Sequence, residues 1–126
     1  MAKKKILIIE DEQGMIDSLI ILLKSEYEVE SANNGREGLE KVAAFKPDLV
    51  ILDLLMPEKN GFDVCKTLKA GDSTRNIPVI ALSCFAELHE MSFADDLGKV
   101  SLPSEVYLSK PFDPDTLLRE VRQFIG

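Results

Sequence analysis

Only two of the 126 residues are cysteines, Cys65 and Cys84. Two thiols build no disulfide framework, and because both stand in apolar runs they read as buried free thiols. The single histidine, His89, falls in an expected helix and reads as an exposed surface residue. Basic residues are in deficit: 15 Lys and Arg against 22 Asp and Glu give a net charge of −7. That argues against a nucleic-acid surface as the main business of the chain, because phosphate binding wants a basic stripe. Long apolar runs are missing too, and none approaches the ~20 residues of a membrane-spanning helix. After Met1-Ala2-Lys3-Lys4-Lys5 only Ile6 to Ile9 precede Glu10, too little for a signal-peptide core of about 7–15 apolar residues. The expectation is a cytoplasmic chain with no membrane insertion and no direct nucleic-acid contact.

What is present is ordinary soluble composition. Hydrophobic residues make up 45% and charged residues 29%, which excludes disorder. The length predicts one domain over 1–126 that buries roughly 65–70% of its unfolded surface without a staple.

Short apolar runs alternate with amphipathic stretches five times. Ile6-Leu7-Ile8-Ile9 is continuous rather than alternating, as a strand buried on both faces requires. Met15, Leu19, Leu22 and Leu23 share one helix face. Tyr27 to Ala32 alternates apolar with Glu28 and Glu30 and predicts an edge strand. Asn34 and Glu37 form a capping box for a helix running to Phe45, closed by Pro47. Leu49 to Leu52 is a second buried strand and runs into Asp53. Gly61 to Ala70 predicts a helix with Phe62, Cys65 and Leu68 inward. Ile77 to Leu82 predicts the fourth strand, Ala86 to Leu97 a helix, and Val106 to Leu108 a short fifth strand. Asp113 and Pro114 open a last helix with Leu117, Val121, Phe124 and Ile125 as its apolar face. Five strand–helix units of this length predict an open parallel sheet with helices on both faces.

In such sheets the site lies beyond the carboxyl ends of the strands. Glu10-Asp11-Glu12 end the first strand, Asp53 the third, Ser83 the fourth and Ser109-Lys110-Pro111 the fifth. If the first and third strands are neighbours, three carboxylates converge. Like charges at that range are costly, and hard oxygen ligands point to Mg²⁺ as the ion that resolves them. Each residue also has a plainer reading. The acidic triplet reads as a turn that caps the first helix, Asp53 and Ser83 as caps of the helices after them, and Lys110 as a surface lysine. Taken together, a cation site, a carboxylate nucleophile, a lysine and a hydroxyl are equipment for phosphoryl transfer to an aspartate.

Three segments also resemble a known family. They are Ile6-Leu7-Ile8-Ile9-Glu10-Asp11-Glu12, then Pro47-Asp48-Leu49-Val50-Ile51-Leu52-Asp53-Leu54-Leu55-Met56-Pro57 with Gly61, and Tyr107-Leu108-Ser109-Lys110-Pro111-Phe112. In this order and spacing they resemble the receiver domain of two-component response regulators, over essentially the whole chain. The resemblance implies a flavodoxin-like five-stranded sheet in the order 2-1-3-4-5. That order is the one generally stated for such receivers. It implies that Asp53 is the phosphoacceptor, and that Glu10 and Asp11 are the acidic pair for Mg²⁺. Asp11, Asp53 and the Leu55 carbonyl would be direct ligands, with Glu10 acting through water. Ser83 corresponds to the switch hydroxyl, Lys110 to the phosphoryl-binding lysine and Tyr107 to the aromatic switch position. The Lys110–Pro111 bond matches one that is cis in the family.

The implied activity is a switch that catalyses its own Mg²⁺-dependent phosphotransfer and dephosphorylation. Its donor is a histidine kinase or phosphotransfer protein, and its output an unnamed downstream protein. Departures from the family pattern are Glu10 in place of the commoner Asp, and apolar Leu55 and Phe85 beside the acceptor. A long segment, Gly98 to Glu105, also precedes the fifth strand. An aspartyl-phosphate hydrolase of the haloacid-dehalogenase type would need an acid where Leu55 stands. A flavodoxin would need a Ser/Thr/Gly-rich loop where Glu-Asp-Glu-Gln-Gly stands. A pseudo-receiver, or a receiver cut from a larger regulator or hybrid kinase, is the remaining alternative.

Overall fold

Each residue of Ile6 to Ile9 is buried, and its neighbours along the strand face opposite cores. In the computed structural model, which describes residues 3–54, 61–84, 106–110 and 112–126 (without the side chains of 83, 84, 106, 107, 109 and 110), this run is the strand β1, Lys5–Ile9. Beside it lie β2, Glu28–Ala32, and β3, Leu49–Asp53. β4, Val79–Cys84, and β5, Val106–Lys110, follow. Pairing is parallel throughout, in the order β2-β1-β3-β4-β5.

The described helices are α1 (Gln13–Leu23), α2 (Gly35–Phe45), α3 (Gly61–Ala70) and α4 (Pro114–Ile125). Leu7, Ile9, Val50, Leu52, Val79 and Ala81 face one core with Val42, Phe45, Val64 and Leu68 of α2 and α3. Ile6, Ile8, Leu49, Ile51, Ile80 and Leu82 face the other with Ile16, Leu19, Leu23, Leu117 and Val121 of α1 and α4. That two-sided burial is why the central runs are continuously apolar, each such side chain contributing roughly 1.5–3 kcal/mol. The parallel α/β sheet covered on both faces is therefore the one the periodicity predicts. The expected helix over 86–97, which includes His89, the preceding Phe85 and the segment 98–105 lie outside the described residues.

Local chemistry explains the boundaries. Asn34 caps α2, its side chain accepting from the Glu37 N–H at 2.8 Å. Glu37 reaches back to the Asn33 N–H at 3.4 Å, one residue earlier than a standard capping box. β4 starts at Val79 rather than Ile77, because Pro78 has no N–H to give the ladder, although its carbonyl accepts from Val50. β5 extends two residues beyond Leu108. Tyr27 belongs to the turn that closes α1, its N–H bonded to the Leu23 carbonyl, rather than to β2. On α1 the fully buried positions are Ile16, Leu19 and Leu23, with Met15 and Leu22 at the margin. On α4 Phe124 is 36% exposed and lies off the core that Leu117 and Val121 enter. Cys65 is buried and in no disulfide, as its apolar setting suggests. No described helix is long and apolar enough to cross a membrane.

Candidate functional site

β1 and β3 are hydrogen-bonded neighbours with Ile9 opposite Leu52. Their carboxyl ends therefore deliver Glu10 and Asp53 to the same point at the sheet edge. One carboxylate oxygen each from Glu10, Asp11 and Asp53 lies within 4.8 Å of the others. Glu10 is 1% and Asp53 4% exposed, whereas Asp11 is open to solvent. Both buried acids are anchored through their backbones. The Glu10 N–H donates to the Ala32 carbonyl at 3.0 Å, and the Leu54 N–H next to Asp53 donates to the Leu82 carbonyl at 3.0 Å.

The Glu10 side chain folds back over its own turn. One oxygen accepts the N–H groups of Asp11 at 3.1 Å and Glu12 at 3.4 Å. The longer arm of Glu relative to Asp thus serves the turn and the cluster together. Glu12, the N-cap residue of α1, makes no side-chain capping bond. The plainer reading of the acidic triplet as a helix cap therefore applies only to the Glu10 carboxylate and the turn. Asp53 is not the cap of α3 either, the next described helix, which begins at Gly61, eight positions later.

Gly61 is the residue whose role the sequence does not reveal. A Cβ there would run into the Asp53 carbonyl oxygen and come within 2.5 Å of the Leu54 Cα. Its N–H donates to the Leu54 carbonyl at 3.0 Å. The start of α3 is therefore pressed against the carboxyl end of β3, and only a residue without a side chain permits that approach. The signal in the sequence was a glycine at a helix start, which alone says little.

The remaining predicted residues are placed by register. Asp53 pairs with Leu82, so Ser83 stands one step farther along β4, opposite Ser109. Lys110 ends β5 opposite Cys84, and Tyr107 stands opposite Ala81. Ser83 and Lys110 thus reach the same carboxyl edge of the sheet as Asp53. Leu55, whose carbonyl was an expected ligand, and the Lys110–Pro111 bond lie outside the described residues.

The donor set suits a hard cation. Three carboxylate oxygens gathered at one point, two of them from side chains withdrawn from water, match oxygen-only coordination of a small divalent ion such as Mg²⁺.

The chain matches the model of the response regulator receiver domain over residues 6–122, and it belongs to that family. The family works in two-component signalling, takes its phosphoryl group from histidine kinases and binds Mg²⁺ in an acidic pocket. The chain is 34% identical, over 96% of its length, to the DNA-binding dual master transcriptional regulator RpaA of a Synechocystis strain, covering 48% of that protein. It is 33% identical to the response regulator ArlR of Staphylococcus aureus, covering 52% of it. The chain thus spans about half the length of the curated relatives it matches. Among solved structures it resembles the chemotaxis protein CheY4 of Vibrio cholerae, with a TM-score of 0.82 and 27% identity over 98% of this chain and 100% of that one. It also resembles the receiver domain of a signal transduction histidine kinase from Syntrophus aciditrophicus, with a TM-score of 0.84 and 30% identity over 97% and 89% of the two chains. A third neighbour is the receiver domain of a sensor histidine kinase from Pseudomonas aeruginosa, with a TM-score of 0.84 and 25% identity over 99% of each chain. That protein carries a magnesium ion in its active-site cleft.

Proposed function

We propose that residues 1–126 act as one phosphorylation switch, with Asp53 as acceptor and a histidine kinase or phosphotransfer protein as donor. The observation that carries this reading is the convergence of Glu10, Asp11 and Asp53 at the carboxyl edge of the central strands. Asp11, Asp53 and the Leu55 carbonyl would hold Mg²⁺ directly, and Glu10 through water. When bound, the ion supplies the positive charge that lets an anionic carboxylate meet an anionic phosphoryl group.

A carboxylate oxygen of Asp53 attacks phosphorus in line. The new O–P bond forms as the P–N bond to the donor imidazole breaks, and the bonding pair returns to the ring nitrogen. Lys110 neutralises charge on the phosphoryl oxygens from the opposite wall. Ser83 then donates its hydroxyl to one of those oxygens, and Tyr107 follows into the space Ser83 leaves. A downstream protein that prefers the switched face shifts the population toward it.

In this reading the unit has five helices, works in the cytoplasm and turns over no separate substrate. The half-length match to the curated relatives, and neighbours that are receivers of histidine kinases, favour a second reading. In it, the same switch operates as one module of a longer regulator or hybrid kinase. Borohydride reduction of acetyl phosphate-treated protein, followed by peptide mapping, tests the acceptor. The reduced side chain is expected at position 53, and reduction at any other carboxylate would overturn the assignment.

A further inference from the structure

A second concavity lies at the other end of the sheet, between the C-terminal ends of α2 and α3, with a volume of about 670 Å³. None of its lining residues belongs to the Glu10–Asp11–Asp53 cluster. Its size falls within the roughly 300–1,000 Å³ of small-molecule sites. Leu39 and Ile77, both half-buried, and the buried Val42 and Leu68 form its walls. The two threonines on the wall are less polar than they look. Thr67 donates its hydroxyl to the Asp63 carbonyl at 2.8 Å, and Thr74 donates its own to the Leu68 carbonyl at 2.5 Å. Their hydroxyl protons are given to helix carbonyls, so neither threonine has a donor left for an anionic head.

One charged residue lines this space, Lys46. Its side chain makes no hydrogen bond or ion pair among the described residues. The other charges nearby are occupied: Lys69 donates to the Arg75 and Ile77 carbonyls, and Arg75 pairs with Asp72 at 3.8 Å. Lys46 also sits in an unfavourable place for a lysine. It is the C-cap of α2 with φ 55° and ψ 63°, the single non-glycine residue with positive φ among those described. Glycine adopts this left-handed conformation without the steric cost that a lysine bears. A strained residue that carries the sole charge of an apolar concavity points to a use for that charge.

We propose that this concavity binds a small amphiphile with an anionic head, of the medium-chain carboxylate class. The carboxylate pairs with the Lys46 ammonium, and the alkyl chain lies between Leu39, Val42, Leu68 and Ile77. The complementarity is a lone cation at the rim of an apolar trough.

The probe is sodium decanoate, titrated below its micelle concentration into isotope-labelled protein, with amide shifts as the readout. Saturable shifts are expected at Leu39, Val42, Thr67 and Ile77. Lys46→Gly removes the charge while relieving the backbone, so the variant stays folded. It should weaken decanoate about tenfold and leave decanol, which has no charge, unchanged. Leu39→Glu, which sets a carboxylate on the wall, should weaken decanoate as well. Shifts scattered over the surface, or an equal decanoate affinity in wild type and Lys46→Gly, would overturn the proposal.

Discussion

Gly61 packs on the backbone of Asp53 so closely that a single methyl group at position 61 would overlap the Asp53 carbonyl oxygen. The obstacle is main chain on both sides, β3 and the start of α3, so neither can swing away as a flexible side chain would. Gly61→Ala should therefore cost about 1–3 kcal/mol, as overpacking does in a well-filled interior. A urea titration measures this. An unchanged midpoint would mean that the approach relaxes without cost.

The acidic cluster makes a prediction about metal. Glu10, Asp11 and Asp53 repel one another, and an ion that binds only the folded chain stabilises it by mass action. Millimolar Mg²⁺ should raise the thermal midpoint of the wild type. Asp11→Ala, at the exposed member of the trio, should leave the fold intact and remove the response. Equal Mg²⁺ stabilisation of the two proteins would rule out this cluster as the metal site.

A third prediction concerns pH and a surface ion pair. The Arg122 guanidinium grips the Glu26 carboxylate through two nitrogens, at 2.5 and 3.2 Å, joining α4 to the turn after α1. The hydrogen bond from Arg122 holds the Glu26 carboxyl below its ordinary value near 4.5. A depressed folded value means that the contribution is present above the unfolded pKa and disappears as pH falls through the folded one. Both groups are well solvated, so the effect is small and salt-sensitive. The stability difference between wild type and Glu26→Gln should be measurable at pH 7 and should close as the solution is acidified below 4. A difference that stays constant over that range would show that the ion pair is not its source.

Much of this architecture is legible in the sequence because burial on both faces leaves a direct trace. Ile6–Ile9 and Leu49–Leu52 are uninterrupted apolar runs, and each ends in the acid that the cluster uses. Asn34 and Glu37 announce the start of α2 by chemistry that acts within four residues. Contacts set by tertiary packing leave no such trace. The apolar stripe of α1 is wide enough that Met15 or Ile16 fits the period, and only the sheet decides that Ile16 is the buried one. Phe124 fits the period of α4 yet stays 36% exposed. Pro78 delays β4 by two residues for want of an N–H. The left-handed turn at Lys46 is hidden because glycine, its usual signal, is absent. The site is legible in its residue types, since Glu10, Asp11 and Asp53 meet as the strand ends suggest. The folding back of Glu10 over its own turn is a matter of side-chain reach, which periodicity cannot express.

The most direct test of the account is phosphoryl transfer from acetyl phosphate, followed by intact mass. Wild-type protein with Mg²⁺ should gain the mass of one phosphoryl group. The gain should vanish on chelation of the metal, and Asp53→Asn should show none under any condition. A full single-phosphoryl gain in Asp53→Asn, or in wild type stripped of divalent cations, would contradict the account.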